Sequence, residues 1–264
     1  MIYRSNPFLE RTSERTASDH EFVRLFSPKI LERLPEEVFD HGLHVFRSPP
    51  GGGKTTLLRV FTPAALRSFW HAKKSEAMAD AYQRLVERNI IDEVEGPQML
   101  GVLLSCASGY ADLPAGATYP DEGLFRALLN CRIVLRALRS FATLFGMSSL
   151  DQLNEIHLEY DETCQDLKMI PLQNNVADLI TWAEQTERSV YAHLDAVPAS
   201  QNGILPSSVR FEGLIWLQGV KFLKDGKPVA KYRLLMIDDL HKLRRQQRQL
   251  LVEEMTEMRP SMPV

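Results

Sequence analysis

Eight residues, Ser48-Pro49-Pro50-Gly51-Gly52-Gly53-Lys54-Thr55, constrain this chain more than any other stretch of it. They fit the phosphate-loop pattern GxxxxGK[ST] everywhere but at the first position, where serine replaces glycine. Such a loop curls successive backbone N–H groups around an anion, and Gly51, Gly52 and Gly53 supply the backbone freedom and the missing Cβ atoms that this demands. Lys54 is then placed to bridge the β- and γ-phosphates of a nucleoside triphosphate, and the Thr55 hydroxyl to ligate Mg2+. The helix that begins here points the positive end of its dipole at the same anion. Pro50 belongs to the cradle, while Thr56 reads either as part of it or simply as a second helical residue. The competing account is a glycine turn with a chance lysine. Against it stand the β-like run Leu43-His44-Val45-Phe46 just before the loop and the helical pattern TLLRVF just after.

A phosphate loop needs a carboxylate on a neighbouring strand to complete the metal shell. The run Leu234-Leu235-Met236-Ile237-Asp238-Asp239 has that Walker B form. Asp238 takes the magnesium side. Asp239 carries two readings: the residue that orients or deprotonates the attacking water, or an N-cap for a helix starting at Leu240 or His241.

Together, SPPGGGKTTLLR and LLMIDDLHKL resemble the P-loop ATPases of the AAA+ and STAND branches, and the N-terminal NPFLERTSERTASDHEFVRLFSP resembles bacterial origin-recognition-complex-like AAA ATPases. The resemblance implies ATP and Mg2+ as cofactors, with Lys54 and Asp239 catalytic. It also implies hydrolysis coupled to assembly or to a protein partner. In such relatives a segment like Asn6-Pro7-Phe8 wraps the adenine base, although plain docking of Phe8 accounts for it equally. No LSGGQ-like signature supports an ABC-type reading. Other functions of the same site are a nucleotide-gated switch with little turnover and a DNA-associated loader or remodeller.

The fold class that follows is α/β, a P-loop NTPase parallel sheet with a large helical insertion. Residues 1–120 hold N-terminal helices and the first half of the core, 121–205 the insertion, and 206–264 the return with the Walker B strand. Met99-Leu100-Gly101-Val102-Leu103-Leu104 is a continuous apolar run, as a strand covered on both faces would be. From 121 to 197 the pattern predicts three helices and no strand, the last keeping Val176, Leu179, Ile180, Ala183, Val190, Tyr191 and Leu194 on one face. VRFEGLIWLQGVKFL is ambiguous between helix and strand, and Lys224-Asp225-Gly226-Lys227 is a hairpin turn. Little sequence follows Asp239, so the later strands, lid and arginine finger of such a core are expected to be missing.

Composition narrows the alternatives. A net charge of −3 with pI near 6.2 gives no global field for nucleic acid or anionic membrane, so such binding must be local. The local candidates are Arg132, Arg136 and Arg139 at helical spacing, and Lys242, Arg244, Arg245 and Arg248. Solvated charged faces explain both as well. Cys106, Cys131 and Cys164 lack metal-ligand spacing and read as reduced, buried residues. Trp70, Trp182 and Trp216 lie in apolar patterns, and His44 and His241 read as packing and first-turn residues. A polar N-terminus and the lack of a long apolar run make a cytoplasmic protein without membrane contact the expectation.

Overall fold

The computed structural model describes residues 22–23, 26–32, 34–39, 42–49, 52–107, 109–110, 113, 121–147, 150–153, 155–195 and 206–258. Its helices are α1 (Lys29–Glu32), α2 (Lys54–Val60), α3 (Pro63–His71), α4 (Ala79–Glu87), α5 (Asp121–Leu144), α6 (Leu150–Leu153), α7 (Val176–Asp195), α8 (Glu212–Gly219) and α9 (Arg245–Met258). Its strands are β1 (Ile91–Asp92), β2 (Gly96–Pro97), β3 (Met99–Ser105), β4 (Ile156–Tyr160), β5 (Val220–Lys224), β6 (Lys227–Val229) and β7 (Tyr232–Asp238). This is a mixed α/β chain organised around a parallel pair.

That pair is β3 and β7, in register from Met99 opposite Tyr232 to Ser105 opposite Asp238. Successive side chains on a strand point to opposite faces, and both faces here are covered. Met99, Leu234 and Met236 pack into a cluster with α2, α3 and α4, through Leu57, Val60, Leu66, Phe69 and Leu85. Leu100, Val102, Leu104 and Leu235 face the other way, into a cluster with α5, α7, α8, β4 and α9. Gly101 lies on the first face, where an added Cβ would run into the Phe61 carbonyl oxygen. The absence of a side chain there lets the end of the α2 turn settle directly on the strand.

A Thr-Pro step favours the start of a new helix, and the α2–α3 junction at Thr62-Pro63 is built that way. Thr62 is extended at the N-cap, Pro63 opens α3, and the Thr62 hydroxyl donates to the Arg59 carbonyl at 2.7 Å. The long helices α5 and α7 also match, and Val176, Leu179, Ile180, Ala183 and Val190 of α7 are buried. At the turn between β5 and β6, Asp225 and Gly226 have φ of 51° and 71°, as a tight hairpin requires. Gly96-Pro97 closes a small antiparallel pair with β1.

Three expectations change. Leu43-His44-Val45-Phe46 forms no strand. An apolar cavity separates it from β7, with Leu57, Phe61, Ile237, Leu251 and Met255 among its walls, so the segment has no ladder to join. Among the described residues β7 pairs only with β3. Second, the region read as purely helical contains β4, whose Ile156 and Leu158 are buried while His157 and Glu159 are exposed. It pairs antiparallel with β5, which tertiary packing and not local propensity supplies. Third, the ambiguous VRFEGLIWLQGVKFL is both things in turn: helix to Gly219 and strand from Val220. Asn6-Pro7-Phe8, and the Ser18 to Glu21 stretch and Ser149, where the sequence has the form of helix-opening capping boxes, lie outside the described residues. Among the described residues no helix is long and apolar enough to cross a membrane.

Candidate functional site

The site lies where the carboxyl ends of two parallel strands meet the start of α2, the position at which open α/β sheets gather ligand-binding groups. Gly53 caps α2 with φ 80° and ψ 13°, in the left-handed region that favours glycine, and its carbonyl accepts from Leu57 N at 2.8 Å. Gly52 N donates to Pro49 O at 3.0 Å, which closes the turn ahead of it. Pro50 and Gly51 lie outside the described residues.

Lys54 folds back over its own loop. Its ammonium donates to Ser48 O at 2.7 Å, to Ser48 Oγ at 3.0 Å and, more weakly, to Pro49 O at 3.4 Å. Those contacts tie the cation to Ser48 and Pro49, at the start of the loop. Ser48, noted in the sequence only as a departure from the consensus, is thus a partner of the lysine. Thr56 lies half-buried in the first turn of α2.

Across from the loop, the Thr55 hydroxyl donates to Asp238 Oδ2 at 2.8 Å. The two residues are remote in sequence, and the strand carrying Asp238 is fixed by its ladder to β3. Its carbonyl accepts from Cys106 N at 2.9 Å, and its Oδ1 accepts from Asp239 N at 2.8 Å. The carboxylate is therefore oriented from two sides.

Asp239 has φ 59° and ψ 31°, a conformation non-glycine residues adopt rarely. It precedes the short 3-10 turn Leu240–Lys242, but its side chain makes no cap hydrogen bond there. Instead it receives Ser105 Oγ at 3.2 Å, with His241 Nδ1 4.0 Å away. Ser105 in turn accepts from Ala107 N at 3.2 Å. Sequence reasoning missed Ser105; the available signal was its place at the end of the second apolar strand, level with Asp238. The structure thus brings Ser48, Lys54, Thr55, Asp238, Asp239 and Ser105 to one end of the sheet.

The other candidates take structural roles or stay apart. Arg132 pairs with Glu187 at 2.7 Å and lies over the Tyr110 ring at 4.5 Å, so its guanidinium is engaged within the α5–α7 packing. Arg139 pairs with Glu184 at 3.2 Å. Lys242, Arg244, Arg245 and Arg248 are exposed around the start of α9. Trp216 is fully buried, Trp70 and Trp182 are half-buried, and His44 lines the apolar cavity beside β7. The three cysteines are free and buried, and burial pushes the Cys106 and Cys131 thiols up to about 12 and that of Cys164 up to about 11. Among the described residues no group of three or more His, Cys, Asp or Glu side chains is arranged to hold a metal.

Comparison with family models, with curated proteins and with solved structures finds no match for this chain.

Proposed function

We propose that this chain binds ATP with Mg2+ at the loop Ser48–Thr56 and hydrolyses it, the cycle driving assembly or the movement of a protein partner. The observation that supports this best is the 2.8 Å bond between Thr55 and Asp238. A hydroxyl and a carboxylate so paired are the two groups that a phosphate-bound Mg2+ uses, because that ion keeps several waters and takes few protein ligands. A site of that kind needs no all-protein cluster of carboxylates.

In this reading Lys54 and the loop amides hold the β- and γ-phosphates, Thr55 and Asp238 hold the metal, and Asp239 orients the attacking water. Magnesium, when bound, neutralises charge on the transferring phosphoryl oxygens. β3 and β7 then belong to a P-loop NTPase sheet, and the α5–α7 region with β4 is its insertion. One observation favours the switch reading instead: Asp239 is a short side chain tied to Ser105 in a constrained backbone conformation, which limits its reach.

Phosphate release by the purified chain separates the two. Turnover that disappears in Lys54→Ala and in Asp239→Asn supports the ATPase. Tight Mg-ATP binding with no turnover supports the switch, and no binding at all removes both.

A further inference from the structure

Serine is the one residue of the loop that departs from the glycine of the phosphate-loop pattern, and it is also the one whose side chain touches the lysine. Ser48 offers Lys54 two acceptors, its carbonyl at 2.7 Å and its hydroxyl at 3.0 Å, and Pro49 O completes the set at 3.4 Å. An ammonium has three protons, and all three are taken by the loop itself. A glycine at this position would leave one of them to be filled from outside. The hydroxyl is also wedged in place: a Cβ built on Gly52 would lie 2.5 Å from Ser48 Oγ and 2.8 Å from Ser48 Cβ. Gly52 is therefore required not only for the turn but to make room for this serine.

We infer that Ser48 is a positioning residue that latches Lys54 onto its own loop, so that the terminal phosphate of a nucleoside triphosphate binds only by displacing the Ser48 hydroxyl from the ammonium. The inference rests on the nucleotide-binding reading above and adds to it a determinant of affinity. The hydroxyl and a γ-phosphate oxygen compete for the same proton of Lys54. The cost falls on the triphosphate, which calls on Lys54 through both its β- and γ-phosphates; a diphosphate calls on it through one, and release of the longer contact to Pro49 O at 3.4 Å is enough for that. The latch lowers occupancy by triphosphate without touching the metal pair Thr55 and Asp238.

The test is binding of a fluorescent ATP analogue and the matching ADP analogue, with Mg2+, to the full chain and to Ser48→Ala and Ser48→Gly. Both variants are expected to bind the triphosphate about tenfold more tightly, the worth of one charge-assisted hydrogen bond released, with the diphosphate changed by less than about threefold. Circular dichroism and melting confirm that the variants fold, and because alanine and glycine affect the loop backbone differently, agreement between them isolates the hydroxyl. Triphosphate affinity that is unchanged or weaker in both variants, with the unaltered chain binding normally, overturns the latch alone. An unaltered chain that binds neither analogue overturns the nucleotide reading and the latch with it.

Discussion

Thr55 Oγ1 donates to Asp238 Oδ2 at 2.8 Å, joining the first turn of the helix after the glycine loop to the end of the strand that runs parallel to β3. No local propensity brings these residues together. The contact exists because Gly101 lets α2 settle on β3, and because the ladder from Met99 to Ser105 fixes how far β7 extends. In the proposed nucleotide complex these are the two side chains that would hold Mg2+.

Thr55→Val keeps the side-chain shape but removes the hydroxyl. Nucleotide affinity in the presence of Mg2+ should fall about tenfold or more, while affinity in EDTA stays the same, if the hydroxyl contributes to nucleotide binding through the metal alone. Equal losses with and without Mg2+, read by titration calorimetry, would show that Thr55 acts through the fold and not through the metal.

Ser105→Ala frees the Asp239 carboxylate from its 3.2 Å bond. If Ser105 positions Asp239 for the attacking water, turnover should drop about tenfold with the KM for ATP unchanged. Turnover that rises instead marks the bond as a restraint on Asp239 and favours the switch.

Much of this site is legible in the chain because it is built from two short motifs, each flanked by patterning of the right period. The runs 99–104 and 234–237 are continuously apolar since both of their faces are covered, one by the α2–α4 layer and one by the α5–α9 side. What escaped the sequence depends on distant partners. Ile156–Tyr160 alternates buried and exposed residues, but its β5 partner comes later in the chain, after α7 and α8. The switch from helix to strand at Gly219 has a packing cause: a Cβ there would crowd Cys164 Sγ and the Asp161 carboxylate, and Gly219 O accepts from Asp161 N at 3.0 Å. Leu43–Phe46 has the composition of a strand but faces a cavity where a paired neighbour would stand. Strand residues need a ladder as well as a pattern.

Gly101→Ala tests how the loop helix is seated. The added methyl would meet the Phe61 carbonyl oxygen, a backbone atom that cannot rotate aside. Stability should fall by about 1–3 kcal/mol by urea denaturation, and nucleotide affinity should weaken with it as α2 shifts. A neutral substitution would mean that β3 and the end of α2 are more loosely packed than the geometry implies.

Glu212 holds the start of α8 against the bend at Lys168–Ile170. It is buried, and its carboxylate accepts from Lys168 N, Met169 N and Ile170 N at 2.8–3.2 Å. Glu212→Ala strands those N–H groups and should cost about 3 kcal/mol or more. Nucleotide affinity of the folded fraction should be unaffected, since none of these groups reaches the loop. A variant as stable as the parent in urea would contradict the assignment.

The buried thiols set an alkaline limit. Below about pH 9 the cysteines are protonated in folded and unfolded chains alike, and their contribution to stability is complete. Above it the unfolded thiols ionise first, while burial keeps Cys106 and Cys131 protonated to about 12 and Cys164 to about 11. The unfolded state then binds fewer protons and stability falls as pH rises through that window. Melting temperature measured from pH 7 to 10.5 should decline above about 9, and less steeply in Cys106→Ala. A flat profile would contradict it.

Titration with Mg-ATP in a calorimeter, run on the chain beside Lys54→Ala, decides whether the loop is a nucleotide site. Saturable binding at one site per chain is expected, abolished by the substitution with the melting temperature of the unliganded protein little changed. Absence of binding by the unaltered chain, or equal binding by Lys54→Ala, would contradict it.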